Sequence, residues 1–189
     1  MSRIESILLE SQEMGESLSR RLRKVLRCLD VEFKNIAWNS LNIDYHPPKV
    51  ERLWSQFGSM RLMIHRIHPT KEPVEALFHP HPWPSAVHIL SGHYEMGIGY
   101  GLGPEPPPVA AKTLLTTGSS YEMTEKNGWH YVAPIVKPSI SVMLIDSPWE
   151  TPHPFYTENE KVRLNPLTEA CRQVVIEEFK ESMRNPPID

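Results

Sequence analysis

Cysteine, long apolar runs and an excess of charge of one sign are all scarce or missing in this chain of 189 residues. Its two cysteines, Cys28 and Cys171, lie in helical patterns at opposite ends, so neither a disulfide framework nor a thiolate metal site is expected. A net charge of −3 gives no sign of a nucleic-acid partner. No apolar run approaches the length that spans a bilayer, and residues 1–15 lack the pattern of a signal peptide. We therefore expect no membrane association and a cytoplasmic location.

A hydrophobic content of 40% is enough for one domain with a compact core. Changes in periodicity along the chain predict three segments. Residues 1–45 form an N-terminal helical segment, residues 46–160 a β-rich domain, and residues 161–189 a C-terminal helix and tail.

Helix signals are found near both ends of the chain. Ser2 and Glu5 have the spacing of a capping box, and Gly15 is expected to divide the N-terminal helix in two. Asn165 and Pro166 are expected to start the C-terminal helix. The predicted apolar stripe of that helix comprises Leu167, Cys171, Val174, Val175, Phe179 and Met183.

Between the helices, short apolar and β-branched runs predict a mainly β structure. The segments 86–90 and 94–100 are expected to pair with each other through a turn at Ser91 and Gly92. The proline-rich segment 101–108 is predicted to be a stiff loop. The predicted strands are 60–68, 86–90, 94–100, 129–132 and 139–145.

Three histidines have the pattern of a metal site. His79 and His81 are two positions apart on an extended segment, so both imidazoles can face one ion. His130, which follows the turn residue Gly128, is the candidate for the third ligand. Three neutral imidazoles bind a divalent ion and leave a coordination position open for water or substrate. The alternative is that these histidines only make hydrogen bonds.

The order His79-x-His81, a strand ending near Gly92, and then Gly128-x-His130 resembles the two sequence motifs of the cupin superfamily, over about Arg61 to Pro148. The resemblance implies a small antiparallel β-barrel (jelly roll) with a metal inside, here flanked by the N- and C-terminal helices. It also implies a homodimer. The chain departs from the family at Ser85, where the first motif usually has a glutamate, and in the second motif at Glu125, Asn127 and Pro134.

Without that carboxylate the ion keeps its full double charge, which favours an anionic or chelating ligand. Cupins of this kind resemble the three-histidine iron dioxygenases, and the layout is similar to the cysteine dioxygenase type. That similarity extends to the segment 147–155 and puts Arg52 in the place of an arginine that grips the substrate carboxylate. The residue pattern alone leaves open that Arg52 is a solvated surface charge. Fe(II) is the favoured ion, and zinc, nickel and manganese are alternatives.

One departure bears on the chemistry. Thiol dioxygenases have a Ser-x-His-x-Tyr relay on a strand where this chain has Ser141, Met143 and Ile145, and these last two side chains cannot donate protons. We assign no catalytic residue. The leading hypothesis is an iron dioxygenase or related oxidoreductase acting on a small anionic metabolite, and the alternative is a non-enzymatic cupin that binds a small ligand.

Further histidines and tyrosines lie close to the motifs. His88 is three positions after Ser85 and is expected to face away from the metal. Tyr94, Tyr121 and Tyr131 could each donate a proton, although packing in the barrel is the simpler role.

Overall fold

The computed structural model describes residues 1–158 and 164–184. It is mainly β, with antiparallel sheets and flanking helices. The helices are α1 (Arg3–Glu13), α2 (Leu18–Glu32), α3 (Pro154–Glu158) and α4 (Glu169–Arg184). The strands are β1 (Asn39–Ile43), β2 (Val50–Phe57), β3 (Met60–Ile67), β4 (His79–Pro80), β5 (Ser85–Ser91), β6 (His93–Tyr100), β7 (Ala111–Thr116), β8 (Ser120–Met123), β9 (Gly128–Pro134) and β10 (Ser139–Ile145).

The strands form two antiparallel sheets. The six-stranded sheet has the order β1-β2-β3-β10-β5-β8, and the four-stranded sheet has the order β4-β9-β6-β7. Four of the pairings are nested, since β3 pairs with β10, β4 with β9, β5 with β8 and β6 with β7. The chain from β3 to β6 therefore runs beside the chain from β7 to β10 as one long ribbon that folds over into two sheets.

The N-terminal helices begin and end where the local signals predict. The Ser2 hydroxyl accepts a hydrogen bond from the Glu5 N–H (3.2 Å) and the Glu5 carboxylate accepts one from the Ser2 N–H (2.6 Å), so the predicted capping box is confirmed. Gly15, at φ +65°, lies between α1 and α2, which confirms the predicted division. No helix in the described ranges has the length and apolarity needed to cross a membrane.

Side chains alternate across the six-stranded sheet and give it two different faces. Ile64 and Val142 pack into one core with helix residues such as Leu22. The adjacent Met63 and Met143 belong to a separate cluster on the opposite face. Helices therefore cover one face of this sheet, and the other face is left to line an interior space.

The predicted pairing of the segments 86–90 and 94–100 is wrong, although both strands exist. β5 pairs with β10 and β8, whereas β6 pairs with β9 and β7, so the two strands belong to different sheets. Gly92 lies at the turn with φ +82°, and a Cβ there would approach Ser139 Cα to 3.0 Å. This turn carries the chain from β5 in one sheet to β6 in the other.

The C-terminal helix starts at Glu169, four residues later than predicted from Asn165. The carbonyl of Asn165 accepts a hydrogen bond from the Asn42 N–H (2.8 Å) in an isolated β-bridge, so its backbone is extended. The hydroxyl of Thr168 accepts a backbone N–H of the first turn (3.3 Å) and acts as the cap. Val174 was predicted to lie in the apolar stripe of this helix, but it is 39% exposed.

The proposed division into three segments stays a prediction. Strand β1 lies before the predicted boundary at residue 46 and pairs with β2. The predicted boundary at residue 160 lies outside the described residues.

Candidate metal centre

The structure brings together the three histidines that the sequence selected. His79 lies on β4 directly opposite His130 on β9, and His81 follows β4. The ring centroids are 5.1 Å apart for His79 and His130, 4.6 Å for His81 and His130, and 5.5 Å for His79 and His81. One nitrogen from each ring lies within 4.8 Å of the other two, which is close enough for all three to bind one ion.

Two of the rings are held by hydrogen bonds through Nδ1. His79 Nδ1 lies 3.0 Å from the carbonyl oxygen of Leu77. Because a carbonyl can only accept, Nδ1 carries the proton and Nε2 keeps its lone pair. His81 Nδ1 lies 2.9 Å from the hydroxyl of Ser85, which is fully buried. Such outer contacts commonly orient the histidine ligands of a metal.

The spacing of the nitrogens fits a common ion. His81 Nε2 and His130 Nε2 are 2.9 Å apart. Two nitrogens roughly 2.1 Å from an ion are about 3.0 Å apart at a right angle and about 3.4 Å apart at a tetrahedral angle. The observed separation is near these values, and it is also the length of a hydrogen bond between the two rings. Among the described residues, His130 Nδ1 has no hydrogen-bond partner.

Burial keeps the three imidazoles neutral. It is the largest cause that lowers the pKa of His79, to about 4, and it lowers the pKa of His81 and of His130 well below the usual value. Near neutral pH all three rings are neutral, and each keeps a lone pair on one nitrogen.

A cavity of about 250 Å³ lies in front of the cluster. No aspartate or glutamate of the described residues lines it. Its apolar walls include Ile43, Val50, Ile67, Leu77, Val87, Val132 and Met143. Its polar and aromatic lining includes Tyr45, His46, Arg52, His65, Trp83, Tyr121, Ser141, Phe155 and Tyr156. Among the described residues, the lining therefore contributes positive charge from Arg52 and no negative charge.

Arg52 lines this cavity and is not a solvated surface charge. On β2 it faces His65 on β3, and its Nε–H donates to His65 Nε2 at 2.8 Å. No carboxylate in the described parts of the chain lies within ion-pair distance of it. Burial lowers the pKa of Arg52 to about 10, so the guanidinium is still charged near pH 7. Contact with a substrate stays a prediction.

Sequence reasoning placed His65 on a strand but gave it no role. The feature that could have identified His65 is the hairpin that joins β2 and β3 through Gly58. A tight turn sets the register of the two strands, and this register puts residue 65 opposite Arg52. On its other side His65 faces Ser141 of β10. Three polar side chains from adjacent strands thus form one row along the cavity.

The remaining candidates take other positions. His88 Nδ1 lies 2.7 Å from the Ser120 hydroxyl, and His88 is outside the cluster and the cavity, as predicted. Tyr121 lies near the cluster, with its ring centroid 6.1 Å from that of His130, and its hydroxyl accepts a hydrogen bond from Tyr94 (3.3 Å). Burial raises the pKa of Tyr121 to about 12, so its phenol keeps its proton.

The segment 147–155 packs against the first motif. Trp149 donates from Nε1 to the His81 carbonyl at 3.2 Å and from its backbone N–H to the Pro82 carbonyl at 3.1 Å. Phe155 reaches the cavity wall. These contacts hold the backbone on which His81 is mounted.

Comparisons with known proteins give only remote likenesses. No protein-family model and no curated protein matches the sequence. Among solved structures, hydroxypropylphosphonic acid epoxidase from S. wedmorenis matches at 18% identity and a TM-score of 0.43, over 57% of this chain and 55% of that chain. KdgF from Halomonas sp. matches at 12% identity and a TM-score of 0.43, over 62% of this chain and 93% of that chain. The conserved SPY1581 protein of unknown function from Streptococcus pyogenes matches at 15% identity and a TM-score of 0.40, over 55% of this chain and 78% of that chain. This chain thus spans about half the length of the epoxidase, and at these TM-scores the likenesses assign neither family nor activity.

Proposed function

We propose that this protein is a metal-dependent oxidoreductase with a cupin-type jelly-roll barrel, acting on a small anionic metabolite. The observation that carries the proposal is the convergence of His79, His81 and His130 on one point at the wall of a cavity. The nested pairing of β3 to β10 supports the fold, because it is the pairing of a double-sheet jelly roll.

The donor set fits a divalent transition metal. Three neutral nitrogens suit iron, nickel and zinc. We propose Fe(II), with zinc, nickel and manganese as alternatives. When bound, such an ion supplies a Lewis acid with positions open to substrate and oxygen. The reaction that we propose is a dioxygenation or a related oxidation.

The charge of the cavity supports an anionic substrate. Arg52 has a neutral partner, His65, and no carboxylate of the described residues lines the cavity. A partly buried charge without an opposite charge costs some free energy, which a bound anion would recover. The guanidinium of Arg52 is planar and can hold a carboxylate by two parallel hydrogen bonds. We therefore propose that Arg52 binds the substrate.

A second candidate is a non-enzymatic cupin that binds a small anion. It is favoured by strand β10, where Met143 lines the cavity and Ile145 is buried, so neither position offers a proton donor. Tyr121, which also lines the cavity with its ring centroid 6.1 Å from that of His130, is a phenol that could take that role under the first proposal.

The decisive test starts with metal content. We expect protein purified without added metal to contain about one divalent ion per chain, and His79→Ala, His81→Ala and His130→Ala each to lose most of it. His88→Ala is the matched control and should keep it, because His88 lies outside the cluster. Full metal retention in His130→Ala would show that the third ligand is misassigned.

Oxygen uptake then separates the two candidates. Metal-loaded protein is mixed with a panel of small carboxylates and thiols. Consumption of oxygen with at least one of them, and its loss in His81→Ala, supports the oxidoreductase. Binding of these compounds without oxygen uptake supports the binding protein. The cytoplasmic location and the homodimer remain part of the proposal.

A further inference from the structure

The partner of Arg52 is unusual for a partly buried arginine. Such a guanidinium is normally paired with a carboxylate, since an uncompensated charge is costly away from water. Here the Nε–H of Arg52 donates to the ring nitrogen Nε2 of His65 at 2.8 Å. The two terminal nitrogens of the guanidinium have no hydrogen-bond partner within the described residues. The fork that binds anions is left free.

The geometry of this contact sets the charge of His65. A histidine nitrogen that accepts a hydrogen bond has no proton, and an imidazolium has a proton on both nitrogens. His65 is therefore neutral while Arg52 donates to it, and its own proton is on Nδ1. Burial and the charge of Arg52 act in the same direction, because both lower the pKa of His65 well below its usual value. The pair carries one net positive charge.

We propose that His65 is the specificity-determining positioning residue of this cavity, which holds the Arg52 guanidinium without neutralising it and so selects a small ligand with one net negative charge. The inference rests on the proposed function in that it concerns the substrate of the same site, but it does not depend on the metal. A carboxylate at position 65 would make the same hydrogen bond and cancel the charge.

The rest of the lining excludes two other classes of ligand. With no aspartate or glutamate of the described residues in the cavity wall, none of these residues offers a carboxylate to an ammonium group. A zwitterion would therefore bring an unpaired cation into a cavity that already holds Arg52. A neutral ligand would leave Arg52 uncompensated. A simple monoanion pairs one to one with Arg52 and fits the cavity volume of about 250 Å³.

Three probes of nearly equal size test the selection in the protein as purified and in His81→Ala, which we expect to lack the ion. Glycolate has a carboxylate, glycolamide replaces it by a neutral amide, and glycine adds an ammonium group. Isothermal titration calorimetry gives the affinity of each. We expect glycolate to bind about tenfold or more tightly than glycolamide and glycine, a ratio that corresponds to about 1.4 kcal/mol or more. Equal affinities for the three probes would overturn the inference.

Two substitutions assign the selection to His65. His65→Gln keeps a neutral acceptor for Arg52, and we expect it to keep the preference for glycolate. His65→Glu keeps the hydrogen bond but cancels the charge, and we expect its affinity for glycolate to fall about tenfold, which removes most of the preference. The inference is wrong if His65→Glu still prefers glycolate as the wild type does, or if His65→Gln loses the preference equally.

Metal content and melting temperature accompany every titration. If the metal analysis fails to find an ion but the preference for glycolate follows the charge at position 65, the proposed function is wrong and this inference stands. If His65→Glu does not fold, the three probes on the wild type and on His65→Gln decide the matter. A wild type without preference, or a His65→Gln variant without it, then refutes the role of His65.

Discussion

Ser85 offers a sharp test of how the three-histidine cluster is held in place. Its hydroxyl lies 2.9 Å from His81 Nδ1, and its side chain is fully buried between strands β8 and β10. In Ser85→Ala the ring of His81 loses the contact that holds it, and Nδ1 is left without a partner inside the protein. Loss of such a supporting contact typically weakens metal binding by about 10- to 100-fold, or about 1.4–2.8 kcal/mol.

Ser139→Ala is the matched control for this experiment. Ser139 is also a fully buried serine at a strand end, but its hydroxyl has no hydrogen-bond partner among the described residues. We expect its removal to leave metal affinity within about twofold of the wild type. The assay is competition for the metal with a chelator of known affinity. The reasoning is refuted if Ser85→Ala binds the ion as tightly as Ser139→Ala does.

A second substitution at position 85, Ser85→Glu, introduces a carboxylate beside His81. We expect Ser85→Glu to tighten divalent metal binding, because one negative charge partly balances the ion, and to lower the affinity for anionic ligands. Unchanged metal affinity in calorimetric titration would mean that the side chain at position 85 does not reach the ion.

Three further predictions concern ligand binding and stability. Arg52→Lys should weaken the binding of small carboxylates about tenfold with little change in melting temperature, because a lysine cannot form the two parallel hydrogen bonds; equal affinity in calorimetry would exclude the clamp. Burial raises the pKa of Glu51, but hydrogen bonds from a lysine, a histidine and an arginine outweigh burial and lower that pKa to about 2. The contribution of Glu51 to stability is therefore present above about pH 4.5 and is lost as the pH falls toward 2. Glu51→Gln should lower the free energy of unfolding by about 3 kcal/mol at pH 7 and flatten this acid dependence in urea titrations; a change of the same size at pH 7 and pH 2 would contradict the assignment. Gly97→Ala should lower the free energy of unfolding by about 1–3 kcal/mol, since the added Cβ would lie 2.0 Å from Tyr131 Cε1. Gly103→Ala is the control: its Cβ would have no atom within 4 Å, and it should lower the free energy of unfolding by less than about 0.5 kcal/mol in the same measurement.

Local rules predicted the features that depend on neighbouring residues. The capping box of Ser2 and Glu5 and the helix break at Gly15 need only a few adjacent positions, and both are confirmed. Adjacent positions also allow His79 and His81 to face one point, since alternate side chains of an extended chain share a face. The start of α4 was missed because a distant residue, Asn42, pairs with Asn165 and holds it extended.

The partners of these features were decided by tertiary structure. The local pattern gives the extent of β5 and β6 but not their neighbours, because backbone N–H and C=O groups pair equally well with any strand that lies alongside them. Which strand lies alongside depends on how the whole ribbon folds.

What the sequence determined by itself is therefore a set of side chains able to bind a metal, carried on strands whose alternation is built into the backbone. Only the tertiary structure decided that β4 lies beside β9, so that His79 faces His130, and that β2 lies beside β3, so that Arg52 meets His65. The physical reason is the range of the interactions. Alternation follows from dihedral angles of adjacent residues, whereas register across strands follows from turns and from the packing of two sheets, to which the whole chain contributes.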